Sequence, residues 1–143
     1  MVRKFFTDCF CKRYNNIIAL VGTIFSFLGA ICLIGTALTP SDLVLDPHVF
    51  YANNIFHSFL VTSLMYTIVI YRSELIQNKY AAGYAIFFLS ILSYVIILHF
   101  GPGPRENQAA LIFQVVAQKM IVVIFILSVV YQTFGLDKSF KGE

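Results

Sequence analysis

The sequence predicts an all-α fold, an integral membrane four-helix bundle with up-and-down topology. Hydrophobic residues make up 59% and charged residues 12% of the 143-residue chain, whereas soluble domains average about 45–50% and about 25%. The mean hydropathy is +0.81, and the apolar residues fall into four segments long enough to cross a hydrocarbon core of about 30 Å. This composition excludes a nucleic-acid-binding module and a secreted domain held by disulfides.

The four apolar segments predict the transmembrane helices Asn16–Leu38, Pro47–Tyr71, Tyr80–Phe100 and Ala109–Phe134. The four prolines of the chain all lie at helix ends or in loops. Proline removes a backbone donor, and lipid tolerates that loss best at such boundaries. Short loops join successive helices and favour antiparallel neighbours.

The starts of the first two helices carry separate signals. A basic segment precedes the first helix, as in a signal peptide, but the apolar run is longer than about twenty residues and lacks a small-x-small cleavage site. We therefore interpret the first helix as a retained signal anchor.

The dipeptide Asp46-Pro47 predicts the start of the second helix, with the aspartate as N-cap and the proline at the first helical position.

The distribution of basic residues predicts the orientation. Most of the ten Lys and Arg residues lie on one side of the predicted membrane domain, namely Arg3, Lys4, Lys12, Arg13, Arg72, Lys79, Lys138 and Lys141. The opposite side has only Arg105, and Lys119 lies inside the fourth helix. Because the basic side is normally cytoplasmic, we expect both termini in the cytoplasm. The chain then divides into a basic cytoplasmic arm (1–15), a transmembrane domain (16–134) and a cytoplasmic tail (135–143).

Small residues on the first helix predict a packing face. Gly22, Ser26 and Ala30 follow one another at four-residue spacing, which places them on one side of a helix. Small residues let two helices approach closely in lipid. This face is expected to pack either against another helix of the chain or against another subunit.

Polar side chains in the outer halves of the second and fourth helices predict an intramembrane pocket or a subunit contact. They are Asn53, Asn54, His57, Gln114, Gln118 and Lys119. Lys119 is the strongest of these signals, because an ionisable residue deep in a spanning helix is costly and usually faces the interior of the helix bundle. None of the four predicted helices contains Asp or Glu, so an ion-pair partner would come from a loop, a lipid headgroup or another chain.

The predicted outer rim offers a candidate metal site. Asp42, His48, His99 and Glu106 all fall on that side, and imidazole and carboxylate are common metal ligands. A solvated polar rim is the alternative interpretation. No other cofactor is predicted, and no catalytic residue is assigned, since the sequence holds no Ser-His-Asp grouping or glycine-rich phosphate loop.

The basic arm offers a candidate lipidation site. Cys9 and Cys11 lie next to the predicted membrane boundary among basic and aromatic residues, a setting that fits reversible palmitoylation in a eukaryotic host. Reduced, unmodified thiols are the alternative, since a disulfide is not expected in a reducing compartment.

Three short elements resemble the Frag1/DRAM/Sfk1 membrane proteins. They are Thr39-Pro40-Ser41-Asp42 after the first helix, His57 in the second and Gln118-Lys119 in the last. The resemblance covers about Gly35–Phe134, but family members typically have six helices, and Ser58 follows His57 where they commonly have His-Asn. It implies a role in lipid handling or membrane trafficking without an established catalytic site.

These observations favour a non-enzymatic multi-pass membrane protein that acts as an accessory or scaffold subunit of a larger membrane complex. Its expected partners are the lipid bilayer and other membrane protein subunits, with no nucleic acid. One alternative is a binder or carrier of a lipid or small molecule in the polar pocket around Lys119. A second alternative is the metal site at the outer rim.

Overall fold

Four long helices and one short 3₁₀ turn make up the computed structural model, which describes residues 2–73, 77–103 and 106–141, with side chains described for 13–73, 77–103, 106–135 and 137. Helix α1 runs Val2–Leu38, α2 Leu45–Tyr71, α3 Ala81–Phe100 and α4 Gln108–Lys141, and the 3₁₀ turn Asn78–Tyr80 precedes α3. The described residues form no strand. The predicted all-α fold with four helices is confirmed.

Each long helix contains a segment that is long and apolar enough to cross a membrane. These segments are Arg13–Leu38, Leu45–Tyr71, Asn78–Phe100 and Gln108–Gly135. Helices α1 and α4 extend well beyond the predicted bounds, since α1 begins at Val2 and α4 continues to Lys141. The apolar pattern marks only the lipid-spanning part of a helix, and neither Gly nor Pro interrupts the polar residues that precede it in α1.

The start of α2 differs from the sequence prediction. The helix begins at Leu45, and its N-cap residue Val44 makes no capping hydrogen bond through its side chain. Asp46 therefore lies inside the first turn and is not the N-cap. Its negative charge is still well placed there, because the N-terminal end of a helix dipole is positive.

The helices form an up-and-down array in which neighbours in the chain are neighbours in space. Among the described residues, α1 packs on α2, α2 on α1 and α3, and α3 on α2 and α4, with no close backbone approach of α1 to α3 or α4. The loops α1–α2 and α3–α4 lie at one end of the array, which we call the two-loop end. It comprises residues 39–44 and the described loop residues 101–103 and 106–107.

Two glycines of α1 bring its backbone against α2. Gly22 lies against Met65 and Gly29 against Phe59 and Ser58, each at a distance that leaves little room for a side chain. Thr62 Oγ1 also donates to the Gly22 carbonyl oxygen at 3.3 Å. Of the predicted face, Gly22 is buried, Ser26 is half-buried and Ala30 is exposed. The contact with α2 thus follows seven-residue spacing through Gly22 and Gly29, not four-residue spacing to Ala30.

Helix α3 carries the most deeply buried apolar side chains, because it packs against both α2 and α4. Phe87, Ile91 and Tyr94 of α3 form the buried cluster together with Ile121 of α4. The ring of Phe59 on α2 lies 5.6 Å from that of Phe125 on α4, so side chains bridge over α3. Most other large apolar side chains are exposed, which a soluble protein would not tolerate over so large an area.

Candidate functional site

Helix α4 presents two chemically different faces, and the first of them contacts α3. Gln118 Nε2 donates to Tyr94 Oη at 2.7 Å, and Gln114 Nε2 donates to the Pro102 carbonyl oxygen at 2.8 Å. Gln114 is only 4% exposed. The side-chain amides of two predicted pocket residues therefore link α4 to α3 and to the loop that follows α3.

Farther along α4, away from the two-loop end, the same face contains residues that were not predicted from the sequence. Ser128 Oγ donates to the Gly83 carbonyl oxygen at 2.9 Å, and Gln132 Nε2 donates to the Tyr80 carbonyl oxygen. Ser128 and Gln132 lie fourteen residues beyond Gln114 and Gln118 respectively, which is nearly four full helical turns. That repeat is the sequence signal that could have identified the whole face.

Lys119 lies on the opposite face of α4. At about 100° per residue, its Cα is rotated about 140° from that of Gln114. The side chain is exposed, as are the four neighbours one turn away, Val115, Val116, Val122 and Val123. Lys119 makes no hydrogen bond or ion pair with any residue in the described part of the chain. It therefore does not share a pocket with Gln114 and Gln118. Consecutive residues of a helix, such as 118 and 119, point about 100° apart and rarely face the same space.

The position of Lys119 along α4 makes this exposure costly. It follows Gln108, the start of the apolar segment Gln108–Gly135, by about eleven residues, or roughly 16 Å. That depth is close to the middle of a hydrocarbon core of about 30 Å. A lysine there costs about 2.5–3.5 kcal/mol on insertion scales. Among the described residues, Lys119 is the one charged side chain that is both at mid-span depth and exposed.

The polar residues of α2 are satisfied mainly by their own helix. Asn54 Nδ2 donates to the Phe50 carbonyl oxygen at 2.8 Å, and His57 Nδ1 lies 2.8 Å from the Asn53 carbonyl oxygen. Asn53 and His57 are half-buried. No hydrogen bond joins these side chains to Gln114, Gln118 or Lys119 within the described residues, so the six predicted pocket residues do not form one cluster.

His57 contacts a residue that was predicted to belong elsewhere. Its ring lies 5.4 Å from the ring of His99, with an angle of 83° between the two planes. His99 Nδ1 lies 2.9 Å from the Val95 carbonyl oxygen. The contact arises because α2 extends about twelve residues beyond His57 toward the two-loop end, whereas α3 ends at Phe100.

The four residues of the predicted metal site are not gathered in one place. His48 Nδ1 lies 2.6 Å from the Thr39 carbonyl oxygen, which holds the ring against the end of α1. Glu106 Oε1 accepts from the Gly103 amide at 2.7 Å. No group of three or more His, Cys, Asp or Glu side chains in the described part of the chain could hold a metal ion together.

Two predictions fall outside the described side chains. Cys9 and Cys11 lie on α1, but side chains are described only from residue 13 onward. Arg105 also lies outside the described residues. The candidate lipidation site therefore stays a prediction.

Comparison with protein-family models, with curated proteins and with solved structures finds no match to this chain. The resemblance to the Frag1/DRAM/Sfk1 proteins thus also stays a prediction.

Proposed function

We propose that this chain is a non-enzymatic accessory or scaffold subunit of a larger membrane complex, and that the Lys119 face of α4 contacts a transmembrane helix of a partner. One observation carries the proposal: a lysine at mid-span depth is exposed among four valines and has no partner in the described part of the chain. Intramembrane lysines normally face the interior of a helix bundle or a water-filled cavity, so an exposed one favours a further helix packed against this face.

Snorkelling toward water does not fully solve the problem for Lys119. Side chains of a helix tilt toward its N-terminus, so the stem of Lys119 inclines toward the two-loop end. The stem extends only a few ångström, whereas the end of the apolar segment is roughly 16 Å away. The ammonium group then stays below the headgroup level unless lipid or water moves inward to meet it.

A carboxylate on a partner helix would stabilise Lys119 directly. The attraction between opposite charges is strong where the effective dielectric constant is low. A second copy of this chain offers no such group, because all seven Asp and Glu residues lie outside the interiors of the four apolar segments. The partner is therefore a different protein with an acidic residue at matching depth, and the four valines supply an apolar surface around the pair.

The alternative of a ligand pocket around Lys119 has less support. It requires Lys119 to face the same space as Gln114 and Gln118, but those side chains lie on the other side of α4 and bond to Pro102 and Tyr94. An anionic lipid headgroup drawn to Lys119 from outside the array is the remaining form of that alternative.

Affinity purification from native membranes in mild detergent, followed by native mass spectrometry, tests the proposal. We expect the wild-type chain of 16.2 kDa to copurify with a second membrane protein. Lys119→Met should reduce that protein at least about tenfold, which corresponds to 1.4 kcal/mol of lost interaction, and Lys119→Arg should retain it.

Gln118→Leu is the matched control, since it removes a polar group from the adjacent position on the α3 face. It should leave copurification unchanged. A wild-type chain recovered as a stable monomer would contradict the proposal. A monomer that carries an anionic lipid, lost in Lys119→Met, would favour the lipid alternative.

A further inference from the structure

The contact between His57 and His99 was not expected from the sequence, and it places two metal-binding side chains next to each other where the end of α3 packs against the middle of α2. We infer that these two histidines form a binding site for a transition-metal ion of the Zn²⁺ type. The inference does not depend on the proposed subunit role.

The hydrogen bonds of the two rings determine which nitrogen is free. In each ring Nδ1 lies within 2.9 Å of a main-chain carbonyl oxygen, that of Asn53 for His57 and that of Val95 for His99. A carbonyl oxygen only accepts, so Nδ1 must carry the proton and donate it. In the neutral ring Nε2 then holds an unshared lone pair, and neither Nε2 has a partner among the described residues.

This arrangement is typical of histidines that bind metals. A metal-ligating imidazole usually donates its other N–H to a carbonyl or carboxylate, which fixes both the tautomer and the ring orientation. Zinc binds imidazole nitrogen at about 2.0–2.1 Å, and the centroid separation of 5.4 Å leaves room for one ion bound to both rings. Water or an anion would complete the coordination.

The site is open at the side of the array. His99 is exposed and is the next-to-last residue of α3, so an ion can reach the pair beside the end of that helix. His57 lies about twelve residues beyond Leu45, or roughly 18 Å, so the two rings lie well below the carboxylates of Asp42 and Asp46. In the sequence, the loop after α3 adds Arg105 beside Glu106, so the two rings themselves must supply the affinity for the ion.

His48 provides an internal control. Its Nδ1 is also held by a carbonyl oxygen, that of Thr39, but no second histidine ring lies against it. If metal binding only required an imidazole whose Nδ1 is held by a carbonyl oxygen, His48 would serve as well as His57. If it requires the pair, His48 is dispensable.

Zinc titration of the purified full chain in detergent, after removal of metals with EDTA, tests the inference by competition with a chromophoric chelator. We expect one Zn²⁺ per chain. His57→Gln and His99→Gln should each weaken binding at least about tenfold, because even the loss of an outer-shell partner costs 10–100-fold. His48→Gln should bind as the wild type does.

Thermal unfolding gives a second measurement that does not depend on the chelator. Zinc should raise the Tm of the wild-type chain by mass action, and should not raise that of a His57→Gln/His99→Gln double variant that retains its helical circular dichroism. A wild-type chain without stoichiometric zinc would overturn the inference. Equal binding by wild type and double variant would also overturn it and assign the ion to the carboxylates.

Discussion

The two faces of α4 differ in whether their polar side chains have hydrogen-bond partners within the chain. Toward α3, Gln114, Gln118, Ser128 and Gln132 each donate a hydrogen bond to a partner in the chain. On the opposite side, Lys119 lies among exposed valines and has no partner in the described residues. Polar side chains that stabilise the helix array have hydrogen-bond partners within the chain. A polar side chain in a spanning helix without such a partner therefore indicates a contact with another molecule.

The largest expected effect concerns the free energy of inserting α4 into a bilayer. Lys119→Leu should make insertion of the segment Gln108–Gly135 more favourable by about 3–4 kcal/mol, because lysine is strongly disfavoured and leucine mildly favoured at a helix centre. A glycosylation-based insertion assay in a host membrane protein measures this. Val116→Leu is the control and should change little. Equal effects of the two substitutions would mean that Lys119 does not lie in the hydrocarbon region.

The next effect concerns the contact between α3 and α4, where Gly83 of α3 lets the two helices approach closely. A Cβ at this position would lie 2.8 Å from Gln132 Nε2 and 3.0 Å from Tyr131 Cδ1. Gly83→Ala should therefore displace Gln132 from the Tyr80 carbonyl oxygen and destabilise the chain by about 1–3 kcal/mol. Unfolding in mixed detergent micelles, followed by circular dichroism, measures the change. Ala82→Val at the exposed neighbouring position should stay within about 0.5 kcal/mol.

A smaller effect should follow from removing the hydroxyl that Gln118 contacts. Tyr94→Phe takes away the acceptor of a 2.7 Å hydrogen bond, and such bonds in membrane proteins contribute about 0.6 kcal/mol, at most about 1.7. Ser93→Ala is its control, because Ser93 is exposed and bonds only to the Leu89 carbonyl oxygen of its own helix. If both variants unfold alike, the bond between Gln118 and Tyr94 does not hold the two helices together.

The smallest effect should be that of Lys119→Met on the stability of the isolated chain. Lys119 makes no hydrogen bond or ion pair with the described residues, so the free energy of unfolding should change by less than about 0.5 kcal/mol. The same micelle unfolding experiment measures it beside Gln118→Leu, which should destabilise. A large loss for Lys119→Met would mean that the lysine has an internal structural role.

The four spans were predictable because the cost of exposing polar backbone and side chains to lipid determines them almost alone. The polar extensions of α1 and α4 were not predictable, because exposing polar groups has no such cost outside the hydrocarbon core. Asp46 was assigned as the N-cap and Pro47 as the first helical residue, yet the helix begins two residues earlier, at Leu45. A difference of two residues is within the usual uncertainty of helix ends.

The site was predictable in its residues and not in its arrangement. Lys119 is evident from its depth, and the glutamines from their spacing, but which side of α4 meets α3 depends on packing along the whole helix. The contact between His57 and His99 depends on how far α2 is displaced along its axis relative to α3. Nothing within either helix alone encodes that displacement, so His99 was grouped with His48 and the loop carboxylates instead.

Site-specific photo-crosslinking in native membranes tests whether the face of α4 around Lys119 contacts a partner protein. A photoreactive residue at Val116 or Val123, beside Lys119, should form an adduct with one other membrane protein. The same residue at Ile31 of α1 or Ile96 of α3, both exposed apolar positions, should not capture that protein. Adducts with lipid only at Val116 and Val123, or the same protein captured from all four positions, would contradict the account.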